Sequence, residues 1–173
     1  VFITGGWNSR LYRNDCEDAF SDTGLDFIAL NSSWACWGDY DKDGDKDILV
    51  TGDTGGGMKL FCYTNNQGSF EEIELNIMGL SAGSVEWGDY DSDGDLDILI
   101  MGFNDNVEPD ANIYRNDGNW IFTATNLITD AVSNGSINWV DINKDGLLDL
   151  FITGNLGSFT YIAKLYLNNG LGA

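Results

Sequence analysis

Aspartates recur in three nine-residue segments at a spacing that could bring several carboxylates to one point. The segments read DYDKDGDKD from Asp39, DYDSDGDLD from Asp89 and DINKDGLLD from Asp141. Oxygen atoms at alternating positions of a tight loop suit Ca²⁺, which takes about six to eight oxygen ligands at roughly 2.3–2.6 Å. Glycine at the sixth position permits a sharp turn that a side chain would hinder. The spacing therefore predicts a calcium-binding loop in each segment.

Each predicted loop offers side-chain oxygens at positions one, three, five and nine, and a backbone carbonyl at position seven. In that order along the chain, the predicted ligands are Asp39, Asp41, Asp43, Asp45 and Asp47; Asp89, Asp91, Asp93, Asp95 and Asp97; and Asp141, Asn143, Asp145, Leu147 and Asp149. An EF-hand would place a bidentate glutamate at position twelve. Here that position holds Val50, Ile100 and Ile152, which indicates that each loop joins two strands.

The loops belong to a longer repeat of about fifty residues. An apolar run ending in glycine opens the chain and follows every loop, and a segment with tyrosine and asparagine follows each run. The spacing from a later phenylalanine to the next loop is 19 residues in all three cases, namely Phe20 to Asp39, Phe70 to Asp89 and Phe122 to Asp141. A fixed period of this length predicts an array of similar structural units.

Each unit contains four segments with strand character, here called strands A to D in chain order. Strand A ends at a tryptophan before the loop, B is the apolar run, C carries the tyrosine, and D carries the phenylalanine. Short β-branched runs are typical of buried strands, and the Asn-Asp-Gly at residues 116–118 is a hairpin signal. Four-stranded units in series are the blades of a β-propeller. We therefore predict an all-β fold of β-propeller blades with four antiparallel strands each.

The combined pattern WGDYDxDGDxDILxxG, followed by YRNDG, resembles the FG-GAP/VCBS repeats of integrin-α-like propellers, and the resemblance covers nearly the whole chain. It implies a calcium-stabilised propeller, located outside the cell or at its surface, that serves adhesion, glycan binding or scaffolding. The third copy departs from the pattern at Asn143 and Leu147. We therefore expect its calcium site to be occupied but weaker than the other two.

The repeat predicts one domain, residues 1–173, with two complete and two partial units. These are a partial unit 1–36, a repeat 37–86, a repeat 87–138 and a partial repeat 139–173. Fourteen predicted strands make about three and a half blades, whereas closed propellers typically have about four to eight. We expect further repeats of a longer chain, or other copies, to complete the propeller. Since initiator methionine and signal peptide are absent, a fragment or processed product is favoured.

The net charge and the residue composition limit which partners the chain can bind and which reactions it can catalyse. The formal net charge is −20, which repels nucleic acid and anionic membrane surfaces, and no apolar run is long enough to insert into a membrane. The chain has no histidine, which excludes histidine-dependent acid–base and triad chemistry. Because metal binding explains the recurring carboxylates, we expect no enzymatic activity.

The connections between strands B and C vary in length, whereas the predicted calcium loops do not. In an up-and-down blade, the B–C and D–A connections lie on the side opposite the A–B loops, and variable loops on a rigid frame commonly carry binding residues. Trp7, Phe103, Phe159 and Tyr161 lie in B–C connections, where they could stack on a sugar or pack at the edge. We therefore predict a glycan or protein ligand at this face.

The resulting functional prediction is a non-enzymatic, calcium-binding extracellular module for adhesion or recognition. Two alternatives stay open: a structural building block of an extracellular fibre or sheath, and an accessory domain of a secreted enzyme. Cys62 occupies a recurring apolar position and is expected to be buried, and a bridge between Cys16 and Cys36 remains open. Asn31 and Asn134 lie in glycosylation sequons, which matter only in a eukaryotic source.

Overall fold

The structure, a computed structural model, describes residues 1–17 and 19–170, so the last three residues of the predicted repeat 139–173 lie outside the described part. Its strands are β1 (Phe2–Gly5), β2 (Asn8–Asn14), β3 (Phe20–Asp22), β4 (Asn31–Gly38), β5 (Asp47–Asp53), β6 (Met58–Asn66), β7 (Ser69–Met78), β8 (Ser81–Gly88), β9 (Asp97–Phe103), β10 (Pro109–Asn116), β11 (Phe122–Ala124), β12 (Ser133–Val140), β13 (Asp149–Asn155) and β14 (Tyr161–Tyr166). The described part contains no helix that could cross a membrane.

The strands form four antiparallel sheets in the order in which they occur along the chain. The sheets are β1-β2-β3, β4-β5-β6-β7, β8-β9-β10-β11 and β12-β13-β14. The second and third sheets hold strands A to D as predicted, the first holds B to D and the fourth holds A to C. The prediction of an all-β fold built from blade-like sheets, with fourteen strands in the described residues, is confirmed.

The core lies between neighbouring sheets, and strand B of the second and third sheets contributes to it on both faces. Successive side chains of a strand point to opposite faces. Accordingly, Ile48 and Val50 of β5 pack in the cluster that contains Phe2 of the first sheet, while Leu49 packs with Ile98 and Ile100 of the third. All three β5 residues are fully buried. This two-sided burial explains why the apolar runs do not alternate with polar residues.

Consecutive sheets also interlock through the tryptophan and glycine at the end of strand A. A Cβ added to Gly38 would lie 2.4 Å from the Trp87 ring, and one added to Gly88 would lie 2.5 Å from the Trp139 ring. Each indole therefore covers the bare backbone of the preceding sheet. Packing between sheets thus involves the recurring tryptophans at Trp87 and Trp139, and it requires the glycine that follows the tryptophan in the preceding unit.

The three cysteines are free thiols. Cys62 is fully buried, as predicted, and packs with Cys36 in the core between the second and third sheets. Cys16 is exposed, so the bridge between Cys16 and Cys36 that the sequence left open is not formed.

We predict that Gly88→Ala destabilises the protein by about 1–3 kcal/mol, because the new methyl group overpacks against the Trp139 ring. Urea unfolding followed by tryptophan fluorescence measures the change. Gly56→Ala is the matched control, since its added Cβ would lie 3.7 Å from the nearest side-chain atom. Equal stability losses in the two variants would contradict the interlocked packing.

Candidate metal centres

The three acidic loops connect strand A to strand B, as predicted. Each loop turns back on itself through left-handed backbone at its fourth and sixth positions. The φ angles are 62°, 62° and 63° at Lys42, Ser92 and Lys144, and 96°, 92° and 90° at Gly44, Gly94 and Gly146. Left-handed backbone is strained for most side chains and ordinary for glycine. In the first and second loops the turn brings carboxylates toward one point, whereas no cluster of three acidic groups is found in the third loop among the described residues.

In the first loop, the carboxylates of positions one, three and five converge. Oxygen atoms of Asp39, Asp41 and Asp43 all lie within 4.8 Å of one another. Asp43 accepts a hydrogen bond from the backbone N–H of Asp45 at 2.8 Å, which fixes the turn. The Asp45 side chain points away and accepts from the N–H of Gln67, at 2.7 Å. Calcium binding at position seven is therefore left to the Asp45 backbone carbonyl, which is the group that the sequence predicted for it.

In the second loop, the buried position-nine aspartate joins the cluster. Oxygen atoms of Asp89, Asp91 and Asp97 lie within 4.8 Å of one another. The Asp89 Oδ1 atom is buried and has no hydrogen-bond partner among the described residues. A buried oxygen without a partner costs free energy unless it binds water or an ion. An anionic oxygen of this kind, beside two further carboxylates, fits the oxygen chemistry of a divalent cation.

The third loop has the same backbone turn with weaker chemistry. Asp141 accepts hydrogen bonds at 3.1 Å from the N–H groups of both Asp145 and Gly146. Asn143 replaces an acidic residue, and its Nδ2 donates to Asp145 at 2.8 Å. An amide donor thus occupies one oxygen that a cation would need. Leu147 supplies no carboxylate at position seven.

The position-nine aspartates have a second role that sequence analysis missed. Asp47, Asp97 and Asp149 are fully buried, and one carboxylate oxygen of each accepts from an N–H of its own loop, at 2.7–3.0 Å. The other oxygen accepts from the N–H of an asparagine at or just beyond the end of strand C (Asn65, Asn116 and Asn168), at 2.8–2.9 Å. Each of these carboxylates therefore ties its loop to strand C.

The recurring asparagines complete this tie. Their Nδ2 atoms donate to the backbone carbonyls of Lys46, Leu96 and Leu148, at 3.1–3.3 Å, just before each position-nine aspartate. The signal that could have revealed them was the asparagine at one fixed place in strand C of every unit. Its partner could not be read from the sequence because the contact joins residues about twenty positions apart.

Burial changes the ionisation of these carboxylates. It raises the pKa of Asp47 and Asp91 above the usual range, and that of Asp97 to about 7. Backbone hydrogen bonds from Asn116 and Tyr90 oppose the rise at Asp97. A nearby dication favours the ionised form of a carboxylate. The carboxylates of the cluster therefore ionise more readily with a bound cation than without one.

The loops and the B–C connections lie at opposite ends of the sheets, as strand alternation predicts. The C–D turn of the second sheet contacts its acidic loop through Gln67 and Asp45. At the other end, the Trp7 ring lies against Gly55, and Asp105 accepts from the N–H of Met58 at 2.7 Å. These two contacts link the B–C connections of the first three sheets into one face.

We predict that, in the presence of a chelator, Asp97→Ala destabilises the protein by about 2–3 kcal/mol because two backbone N–H groups lose their partner. Urea unfolding measures the loss. Asp93→Ala is the control, since Asp93 is exposed and accepts only from the N–H of Asp95 among the described contacts. Equal losses without metal would contradict a separate structural role for position nine.

A comparison with known protein families supplies a match at the acidic loops. Residues 39–100 match the family model described as FG-GAP-like repeat. The matched segment begins at Asp39 of the first loop and includes the whole of the second. No curated protein matches the chain. The chain therefore carries an FG-GAP-like repeat, as the sequence resemblance predicted.

Proposed function

We propose that this chain is a calcium-stabilised, non-enzymatic binding module of the β-propeller type. The observation that supports the calcium assignment is the buried Asp89 Oδ1, which has no partner within residues 1–17 and 19–170 and lies in a cluster of three carboxylates. Calcium supplies positive charge and a coordination sphere that hold these oxygens together. The chain's own residues provide the frame: the left-handed turns direct the carboxylates inward, and Asp97 ties the second loop to strand C.

The three loops are proposed to differ in calcium affinity. The first and second loops carry five aspartates each, whereas the third carries three aspartates and Asn143. The Asn143 amide also donates to Asp145, which must release that bond before both of its oxygens can face a cation. Ligand charge and site rigidity set calcium affinity. We also propose an extracellular or cell-surface location, where modules bind calcium with Kd values on the order of 10⁻⁴–10⁻³ M.

The proposed ligand face is the end of the sheets opposite the calcium loops. Trp7 lies there with left-handed backbone, and its backbone N–H donates to the carbonyl of Leu30, at 3.0 Å. One side of its ring packs on Gly55, whose added Cβ would lie 3.2 Å away, yet the residue is 51% exposed. An indole fixed by its inner face and open on its outer face can stack on the apolar face of a sugar ring.

A groove next to this platform adds polar groups. Its volume is about 650 Å³, and Lys59, Glu74 and Asp105 contribute to its lining. Glu74 and Lys59 approach each other at 3.5 Å on the exposed surface. Donors and acceptors of both charges suit a hydroxylated ligand, which favours a glycan over an apolar peptide. The abundance of carboxylates disfavours strongly anionic glycans.

A second candidate function, the building block of an extracellular fibre, has its own support. Phe151 and Leu165 of the fourth sheet are 39% and 41% exposed, whereas Leu99 and Ile113 at the matching places of the third sheet are buried. The next sheet covers those matching residues. Another blade, from further repeats or from another copy, would cover the fourth sheet in the same way.

We predict that Asp43→Ala and Asp93→Ala each lower the amount of calcium bound per chain more than Asp145→Ala does, because each removes a ligand from a more highly charged loop. Isothermal titration calorimetry of the wild-type protein and the three variants compares the sites. Calcium binding by none of the loops, or the largest loss in Asp145→Ala, would contradict the proposal.

We predict that Trp7→Ala weakens binding to any glycan retained by the wild-type protein at least fivefold, since about 1 kcal/mol of aromatic stacking is lost. A glycan array identifies the ligand, and calorimetry compares the variants. Phe159→Ala serves as the control, because Phe159 is an exposed aromatic residue in another B–C connection. Unchanged affinity in Trp7→Ala would remove the indole from the site.

A further inference from the structure

The first acidic loop reaches into the second through one lysine. The Lys42 Nζ atom lies 2.6 Å from Asp95 Oδ1. It also lies 4.0 Å from the position that a Cβ on Gly94 would occupy, which puts the ammonium group directly over the turn of the second loop. The ammonium group also interacts electrostatically with Asp93 and Asp89. A fixed cation of one unit thus stands beside the predicted calcium ligands of the next.

The other loops do not reproduce this contact. The position of Lys42 corresponds to Ser92 in the second loop and Lys144 in the third, and all three share the same left-handed backbone. Ser92 has no charge to direct at the third loop. Among the described residues, the second and third units are joined near their loops by other contacts: Asn168 Nδ2 donates to the Tyr90 carbonyl at 2.7 Å, and the Glu86 carboxylate accepts from the Trp139 N–H at 3.1 Å. These contacts bring no cation to the third loop, so the lysine bridge distinguishes the second loop.

We propose that Lys42 is a tethered counter-ion of the second loop that lowers the loop's calcium affinity and stabilises its metal-free form. The inference rests on the proposed calcium binding. Before calcium binds, the ammonium group offsets repulsion among the clustered carboxylates. After calcium binds, the ion neutralises the same carboxylates and also repels the lysine. Lys42 consequently favours the metal-free state over the calcium-bound state.

The size of the effect follows from the exposure of the pair. The Lys42 and Asp95 side chains are 56% and 42% exposed, so water screens their interaction. Exposed ion pairs of this kind change equilibrium constants by up to about fivefold. Lys42 is therefore expected to adjust the second loop's affinity by about two- to fivefold, and the effect should shrink as salt concentration rises.

The test uses a protein in which only the second loop is intact. The double variant Asp43→Ala/Asp145→Ala removes an exposed ligand from each of the other loops. Calorimetric calcium titration then compares this background with and without Lys42→Ser, which installs the residue found at the equivalent place in the second loop. We expect calcium to bind about two- to fivefold more tightly without Lys42. Lys144→Ser in the same background removes an equal charge from the matching position of the third loop, outside the bridge, and should change the affinity less.

Thermal unfolding of otherwise wild-type protein in chelator gives an independent reading. Lys42→Ser should lower the metal-free melting temperature more than Lys144→Ser, and the difference should fade at high salt. Calcium affinity that is unchanged or weaker in Lys42→Ser would overturn the inference while leaving calcium binding in place. If the wild-type protein binds no calcium at all, the proposed function and this inference fail together.

Discussion

The structure depends above all on one buried carboxylate per acidic loop, which holds that loop against strand C. Asp47, Asp97 and Asp149 each accept one backbone N–H from the loop and one from an asparagine at or just beyond the end of strand C. Buried carboxylates are costly unless their hydrogen bonds are satisfied. Here the hydrogen-bonded oxygens hold the end of the loop in place, where strand B begins. They thereby also position the remaining carboxylates of the loop.

Packing between sheets gives this local arrangement its rigidity. Strand B of the second and third sheets is buried on both faces, so a shift of one of these sheets would disturb the core on either side. The Trp87 and Trp139 rings cover Gly38 and Gly88, the last residues of β4 and β8, and hold these strand ends in place. The first and second acidic loops follow directly after these covered glycines, whereas the third follows Val140. Variable connections lie at the opposite end, where Trp7 and the groove beside it supply the proposed ligand face.

Much of this could be predicted from the sequence, because the repeat supplied several independent readings of the same pattern. The order of strands, the all-β class and the convergence of Asp39, Asp41 and Asp43 agree with expectation. What could not be predicted depends on distance in space. The bridge from Lys42 to Asp95 joins residues 53 positions apart, and only folding reveals that Asp89 Oδ1 is buried without a partner in the described part of the chain.

The central claim is that calcium completes a frame of buried and converging carboxylates that the chain builds for it. The most direct measurement is elemental analysis of purified protein dialysed against about 1 mM calcium, the upper end of the range for extracellular modules, paired with thermal unfolding before and after removal of the metal. The account predicts bound calcium approaching three ions per chain, with the third site the first to empty, and a clear fall in melting temperature when calcium is removed. Protein without bound calcium, or with a melting curve unchanged by its confirmed removal, would contradict it.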